Sequence, residues 1–473
     1  MDFFKIIEVI FISNFAFIFL PTKKLTRKLG SLIILVVSMG CLLFGLRLDP
    51  GCLIVLDFAH LNFFWGAFTI DWLVGFFGAL SFFLVFICIS LFGVRLYSQG
   101  FYYLMFYLLE LSLFHTFMSV NMLTFYVLFE ATLIPMFLLI LFWGSRQRRL
   151  HAMYMFLFYT AVGSILLLMA LLVYYAVCGS ILVTSATHLE PVISDFICLM
   201  WFCFFVGFSF KVPVAPFHTW LPEAHVEAPT SGSIILAGLL LKVGTFGMLR
   251  FMFPGLNVLN FKFQELAYTV CAFSIFFASL VAIRQLDIKK IVAYSSVAHM
   301  GFVVMGLFSL TFIGFVGSYF TMLSHGIVAS GLFFLVGVIY ERYKTKILLN
   351  YGGLATVMPI YAFVFFIFIL ANIGFPFSSN FIGEFFVLTG VLSTNLFIGL
   401  ISIFSIVLPP VYSLWMFNRM FFGEIGSGLV GFADFNIVEF YISFLFISLM
   451  LLGGIIPTFI TSFIELEYTK LII

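Results

Sequence analysis

Fourteen apolar stretches follow one another along this chain, each near the length of a membrane crossing, with almost nothing between them. A helix needs about 20 apolar residues to cross roughly 30 Å of hydrocarbon. Lipid offers no partner to a backbone N–H or C=O, so a span of this kind has to be helical. The stretches run roughly over 3–20, 29–48, 72–97, 101–118, 121–143, 151–178, 194–216, 228–252, 264–283, 289–309, 312–340, 356–394, 396–422 and 434–462. Hydrophobic residues make up 64% and charged residues 9%, which leaves nothing for a soluble domain. The expected fold is an all-α polytopic membrane protein with about 14 transmembrane helices.

Charge tests that count. With 14 spans, loops alternate between two sides, and 15 basic residues fall on one side against 5 on the other. Lys211 and Lys242, inside apolar stretches, complete the 22. An extra or missing span in the middle would scramble the bias, which is the positive-inside pattern. Both termini are then expected on the positive side of the energised membrane. The N-terminal apolar stretch ends in Lys23, Lys24, Arg27 and Lys28 rather than a small-residue cleavage site, so no removable signal is expected.

Two stretches are interrupted. Pro213 and Pro216 break 194–216, and the run NIGFPFSSN over Asn372–Asn380, with Pro376, breaks 356–394. Proline removes a donor and frees a carbonyl, so these helices should kink or unwind. They are the seventh and twelfth spans, five apart, which predicts two inverted five-helix repeats over spans 4–8 and 9–13 with paired broken helices at an ion site. The corresponding divisions are 1–100 (three spans with an outer hairpin), 101–252 (first repeat), 253–422 (second repeat) and 423–473 (last span and tail). The hairpin is expected within 49–71, from the alternation around Cys52–Phe58 and Phe63–Ile70.

Lys211 and Lys242 lie where an ammonium costs several kcal/mol, roughly 2.5–3.5 even on the gentlest insertion scale. Lys242 stands roughly 21 Å along its helix at 1.5 Å per residue, near mid-membrane. Glu110, Glu130 and Glu384 share this depth. Carrying one charge against ~180 mV costs about 4 kcal/mol, within reach of moving a carboxylate toward or away from a desolvated lysine. A static Glu130–Lys211 pair that only holds helices together is the competing reading. His299 and His325 sit among Ser, Thr and Gly, placed either to relay protons through water or to pack as hydrogen-bonded core histidines. Glu110 has no lysine or proline beside it in sequence; a relay role and an isolated buried carboxyl both stay open.

Other chemistry is excluded by pattern. Seven cysteines (Cys41, Cys52, Cys88, Cys178, Cys198, Cys203 and Cys271) form no CxxC or CxxH pair, which argues against zinc or iron–sulfur sites. The eight histidines include no pair 13 or 14 apart for a two-haem bundle. No glycine-rich phosphate loop is present. The run HTWLPEAHVEAPT, with His218, Glu223, His225 and Glu227, offers ligand types, but Pro222 and Pro229 are expected to make it a capped loop turn rather than a metal-binding helix.

The run FSFKVPVAPFHTWLPEAHVEAPTSGSIILAGLLLKVGTFGMLRF closely resembles NADH–ubiquinone oxidoreductase chain 4, the family of antiporter-like membrane subunits of respiratory complex I. FYVLFEATLIPMFLLILFWGSRQRR, RQLDIKKIVAYSSVAHMGF, MLSHGIVASGLFFLVGVIYER and NFIGEFF match it too, covering roughly residues 100–420. The resemblance implies 14 helices with inverted repeats. By position, Glu130 and Lys211 match the glutamate–lysine pair of the first half-channel, Lys242 the central lysine, and Glu384 the glutamate at the exit. His299 and His325 match polar residues of the axis between them. The resemblance also implies that this chain carries no cofactor, with NADH, FMN, iron–sulfur clusters and ubiquinone bound by other subunits. Implied partners are other membrane-arm subunits, above all the antiporter-like chains 2 and 5, and membrane lipids such as cardiolipin, with no nucleic acid. The GSRQRR and DIKKIVAYSSVAHMG runs resemble the mitochondrial branch, implying a multi-pass inner-membrane protein with its basic loops in the matrix and both termini toward the intermembrane space. The 70 phenylalanines fit an AT-rich organellar genome. Rival readings are a subunit of a multi-subunit cation/proton antiporter, a plastid or hydrogenase-linked relative, and a passive scaffold of the membrane arm.

Overall fold

A computed structural model describes residues 54–56, 68–92, 99–145, 147–181, 195–424, 433–458, 460–462 and 464. The first two expected spans lie outside the described residues.

Two short strands, β1 (Ile54–Leu56) and β2 (Phe68–Ile70), pair antiparallel with Ile54 opposite Ile70, inside the segment where the sequence suggests a hairpin. Everything else that is regular among the described residues is helical. The helices are α1 (Trp72–Phe92), α2 (Gln99–Met118), α3 (Met122–Ala131), α4 (Leu133–Trp143), α5 (Arg149–Cys178), α6 (Asp195–Lys211) and α7 (Trp220–Glu227). Then come α8 (Thr230–Gly255), α9 (Asn257–Lys262), α10 (Gln264–Ile283), α11 (Ile288–Phe308), α12 (Phe312–Tyr343), α13 (Leu354–Val357), α14 (Pro359–Ile373), α15 (Ser379–Thr394), α16 (Leu396–Ser405), α17 (Leu408–Phe421) and α18 (Ile437–Ile455).

Ten of the described segments are long and apolar enough to cross a membrane. The two interrupted spans are divided between shorter helices, α6 with α7 and α14 with α15. The order of lengths recurs. Segments of 19, 22 and 30 residues precede the α6–α7 break and one of 26 follows it; segments of 20, 21 and 32 precede the α14–α15 break and one of 26 follows.

Helix boundaries follow local chemistry. Asn121, Asp287, Thr311 and Ser378 each accept a backbone N–H of the following first turn, and Gly179 and Gly374 close their helices in the left-handed conformation. One expectation needs correction. The HTWLPEAHVEAPT run is not a loop turn, because α7 forms over Trp220–Glu227. Pro222 stands in its first turn, where the missing N–H has no intrahelical partner to lose. The expected spans 121–143 and 396–422 are each found as one crossing segment, with a local turn at Thr132 in the first and at Ile406–Val407, before Pro409 and Pro410, in the second. Pro409 stands in the first turn of α17, where the same proline rule places it.

Close packing comes from small residues, as expected where lipid supplies no hydrophobic drive between helices. Along the antiparallel α12–α15 seam, a Cβ on Gly390 would stand 2.5 Å from the Gly314 Cα, and one on Gly383 would stand 2.8 Å from the Thr321 N. Helices α11 and α12 form the buried centre of the bundle, whereas α18 leaves most of its surface outward.

Candidate functional site

The first buried pair forms where α6 ends. Lys211 is its last residue, 5% exposed, and its Nζ donates to Glu130 Oε1 at 3.2 Å and sits 4.2 Å from the centre of the Phe129 ring. Glu130, on α3, keeps 28% of its side-chain surface open. Unwinding over Val212–Thr219 lets the chain change direction just after the ammonium. Trp220 Nε1 caps the freed Phe210 carbonyl at 2.9 Å, and Ser274 Oγ accepts the Ala215 N–H at 3.0 Å. Irregular backbone at this depth is thus satisfied by protein groups.

Lys242 is fully buried on α8, between two π-helical stretches, Leu236–Leu240 and Met248–Met252. The wide turn aims a carbonyl at its own helix's lysine, and Lys242 Nζ donates to Ala237 O at 2.5 Å. Its other partner is His325 on α12, with Nδ1 at 2.7 Å from Nζ. An ammonium has only donors, so in the charged state of Lys242 this Nδ1 is the accepting nitrogen and the ring proton sits on Nε2. Among the described residues no carboxylate pairs with Lys242. A Cβ on Gly244 would meet Lys211 Cβ at 3.3 Å, which sets the backbones of the two lysine sites side by side.

From His325 the row continues. The rings of His325 and His299 are 5.3 Å apart between centroids. His299 Nε2 meets Asn372 Oδ1 at 3.1 Å, and its Nδ1 is 2.8 Å from Glu384 Oε1, although not aligned as a hydrogen bond. Asn372 and Glu384 flank the α14–α15 break. His299 of α11 thus meets Glu384 just after one broken helix, as Glu130 of α3 meets Lys211 at the end of the other.

Glu110 is buried and apart from this row. Its Oε1 accepts from Ser81 at 2.6 Å, and its Oε2 has no hydrogen-bond partner. Leu80, next to Ser81, lies against Gly326, where an added Cβ would stand 3.7 Å from Lys242 Cε. In the HTWLPEAHVEAPT run the four candidate side chains do not converge. Glu223 pairs with Lys290 at 2.6 Å, and His225 stacks on Phe333 at 4.3 Å. Among the described residues no group of three or more His, Cys, Asp or Glu could hold a metal ion.

Several contributors went unnoticed in the sequence. Lys289 and Lys346 read as loop charges, yet both are buried. Lys289 Nζ donates to Ala228 O at 3.0 Å, and Lys346 reaches Val226 O and, at 2.5 Å, Ser145 Oγ. They hold the C-terminal carbonyls of α7, where cations are favoured. Asn372 and Ser81 are single polar residues in apolar surroundings, and Asn380 follows Ser378 and Ser379; the two asparagines do bracket the interrupted run, a signal that was available.

A helical membrane bundle with paired broken helices and a buried row of ionisable side chains is an antiporter-like membrane protein. The family model described as NADH:quinone oxidoreductase/Mrp antiporter, transmembrane, matches residues 119–409. "NADH-ubiquinone oxidoreductase chain 4" of Acanthamoeba castellanii is 44% identical over 393 residues, 82% of this chain and 78% of the relative. A chain in the structure of respiratory complex I from Thermus thermophilus with bound NADH superposes with a TM-score of 0.85 at 28% identity, covering 98% of each chain. A chain of the Mrp complex from Dietzia sp. DQ12-45-1b gives a TM-score of 0.82 at 17% identity, covering 94% and 93%, and shares the fold alone. The chain belongs to the NADH-ubiquinone oxidoreductase chain 4 family.

Proposed function

We propose that this chain is a proton-translocating subunit of the membrane arm of NADH:ubiquinone oxidoreductase, driven by redox chemistry in other subunits. The observation that carries this is the row Lys242–His325–His299–Glu384, with successive approaches of 2.7 Å, 5.3 Å between rings and 2.8 Å, deep in the bundle and ending at a broken helix. An imidazole accepts a proton on one nitrogen and releases one from the other, so two neighbouring histidines suit a relay. Protons enter from the matrix side near Glu130 and Lys211. When that pair opens, the ammonium of Lys211 is left without its counter-charge at 5% exposure, and its proton passes toward Lys242. It leaves by Glu384. Glu110 lies on a side branch held by Ser81.

Residues 101–252 and 253–422 act as the two inverted repeats, after the first three spans within 1–100 and before the last span and tail in 423–473; the recurring order of segment lengths supports this division. The chain holds no redox centre of its own. NADH, FMN, iron–sulfur clusters and ubiquinone are bound elsewhere in the complex. Its neighbours are the other membrane-arm subunits, including the antiporter-like chains 2 and 5, with cardiolipin among the lipids. It resides in the mitochondrial inner membrane, basic loops in the matrix and both termini toward the intermembrane space.

The assembly claim is tested by purifying the tagged chain in mild detergent. Co-migration with NADH-oxidising activity, flavin and iron–sulfur proteins is expected. Recovery in a complex free of these would point instead to a cation/proton antiporter assembly.

A further inference from the structure

Asn380 is fully buried near the start of α15, and both the nitrogen and the oxygen of its amide lack a hydrogen-bond partner. The amide offers two N–H donors and an oxygen with two lone pairs. Buried polar groups are nearly always paired, with ordered water where protein does not reach. An amide with every bond unmade therefore points to a small polar ligand.

Its neighbours point the same way. Glu384 lies one turn further along the same face of α15, and its Oε1 has no aligned hydrogen bond. The opposite wall follows from the α12–α15 seam, where Gly390 meets Gly314, Val387 meets Gly317, and Gly383 meets Thr321. The next rung of that antiparallel register sets Asn380 across from Ser324, the residue before His325. His325 Nε2 is buried without a partner. Tyr412 of α17 faces Ser295 and Glu384, also without a well-aligned hydrogen bond.

We propose that Asn380 is a positioning residue of the proton path, holding buried water between His325 and Glu384. This rests on Glu384 being the terminal carboxylate of that path. A buried water needs two to four polar partners, and the Asn380 amide, Glu384 Oε1 and His325 Nε2 supply them. Asn380 orients the water and does not itself gain or lose a proton. The N–H bond of a His325 imidazolium breaks, and its proton joins the water oxygen. One of the water's own protons moves to Glu384 Oε1. Water is regenerated, His325 becomes neutral and Glu384 becomes a carboxylic acid. His299 Nδ1 stands 2.8 Å from the same Glu384 Oε1 without an aligned hydrogen bond, so the water gives the row an aligned route to that carboxylate beside His299.

The test compares Asn380→Val with Asn380→Thr in the intact enzyme in proteoliposomes. The two side chains share a shape and differ in one hydroxyl, so a packing role affects both alike. Asn380→Val is expected to lower NADH-coupled proton translocation ~10-fold and raise its solvent deuterium isotope effect, with Asn380→Thr within about threefold of wild type. Equal losses in both variants, or no loss in either, would overturn the proposal. Should Asn380→Val not assemble, Asn380→Leu takes its place under the same criteria. Glu384→Gln measured alongside separates the two claims. Normal coupled translocation in Glu384→Gln removes the path and this proposal with it, whereas an impaired Glu384→Gln beside an unaffected Asn380→Val removes only the part assigned to Asn380.

Discussion

Replacing Glu130 with Gln tests whether the first pair is a working element or a strut. The substitution keeps the shape and removes the charge that faces Lys211 Nζ at 3.2 Å. Breaking a buried ion pair by removing one partner costs about 3–5 kcal/mol, because the other charge stays buried and uncompensated. The 28% exposure of Glu130 lets water share the load, and the Phe129 ring at 4.2 Å retains part of the cation's stabilisation. The low end, about 3 kcal/mol, is therefore expected. Thermal unfolding of the purified complex should show a lower midpoint for Glu130→Gln. The double variant Glu130→Gln/Lys211→Met should recover most of that loss, since replacing a whole pair by apolar groups is often neutral. Coupled proton translocation should be impaired in both, and the second substitution should not restore it. Translocation that recovers together with stability in the double variant would refute the argument, because the pair would then be a structural contact.

Further perturbations follow from the same geometry. Asp71→Asn removes a 2.9 Å ion pair with Arg250 in which both side chains are about nine-tenths buried; a loss of about 3 kcal/mol is expected, read as a lower unfolding midpoint of the complex. Gly383→Ala places a Cβ 2.8 Å from the backbone N of Thr321, which cannot move without parting α12 from α15, so about 1–3 kcal/mol of destabilisation and reduced assembly on native gels are expected. Lys290→Ala, by contrast, breaks a pair with Glu223 at 2.6 Å whose side chains are 27% and 31% exposed, and should change stability by less than about 1 kcal/mol, with wild-type NADH oxidation.

What could be read in advance divides by physical cause. Hydropathy reports what lipid demands of the backbone, so Lys242, Lys211, Glu130, Glu384 and the two histidines stood out as polar residues in apolar runs, and Pro213, Pro216 and Pro376 located both broken helices. Contacts between distant segments leave no such trace. That Lys242 meets His325 rather than a carboxylate depends on how α8 packs against α12 and on a π-helical turn that no composition rule predicts. Lys289 and Lys346 were hidden for the opposite reason. A lysine at a loop is ordinarily solvated, and only the fold shows that these two turn inward to the carbonyls closing α7. Proline also carried more meaning than a break: Pro222 and Pro409 stand in first turns, so position within the helix decides their effect.

The account centres on Lys242, and the most direct measurement is proton translocation per NADH oxidised in proteoliposomes, for wild type against Lys242→Ala. The account predicts that the variant assembles and that NADH oxidation and proton translocation fall together, as they must if this lysine lies on an obligatory path coupled to redox. Normal rates for both, at an unchanged ratio, would contradict it and leave Lys242 a structural residue in a passive scaffold.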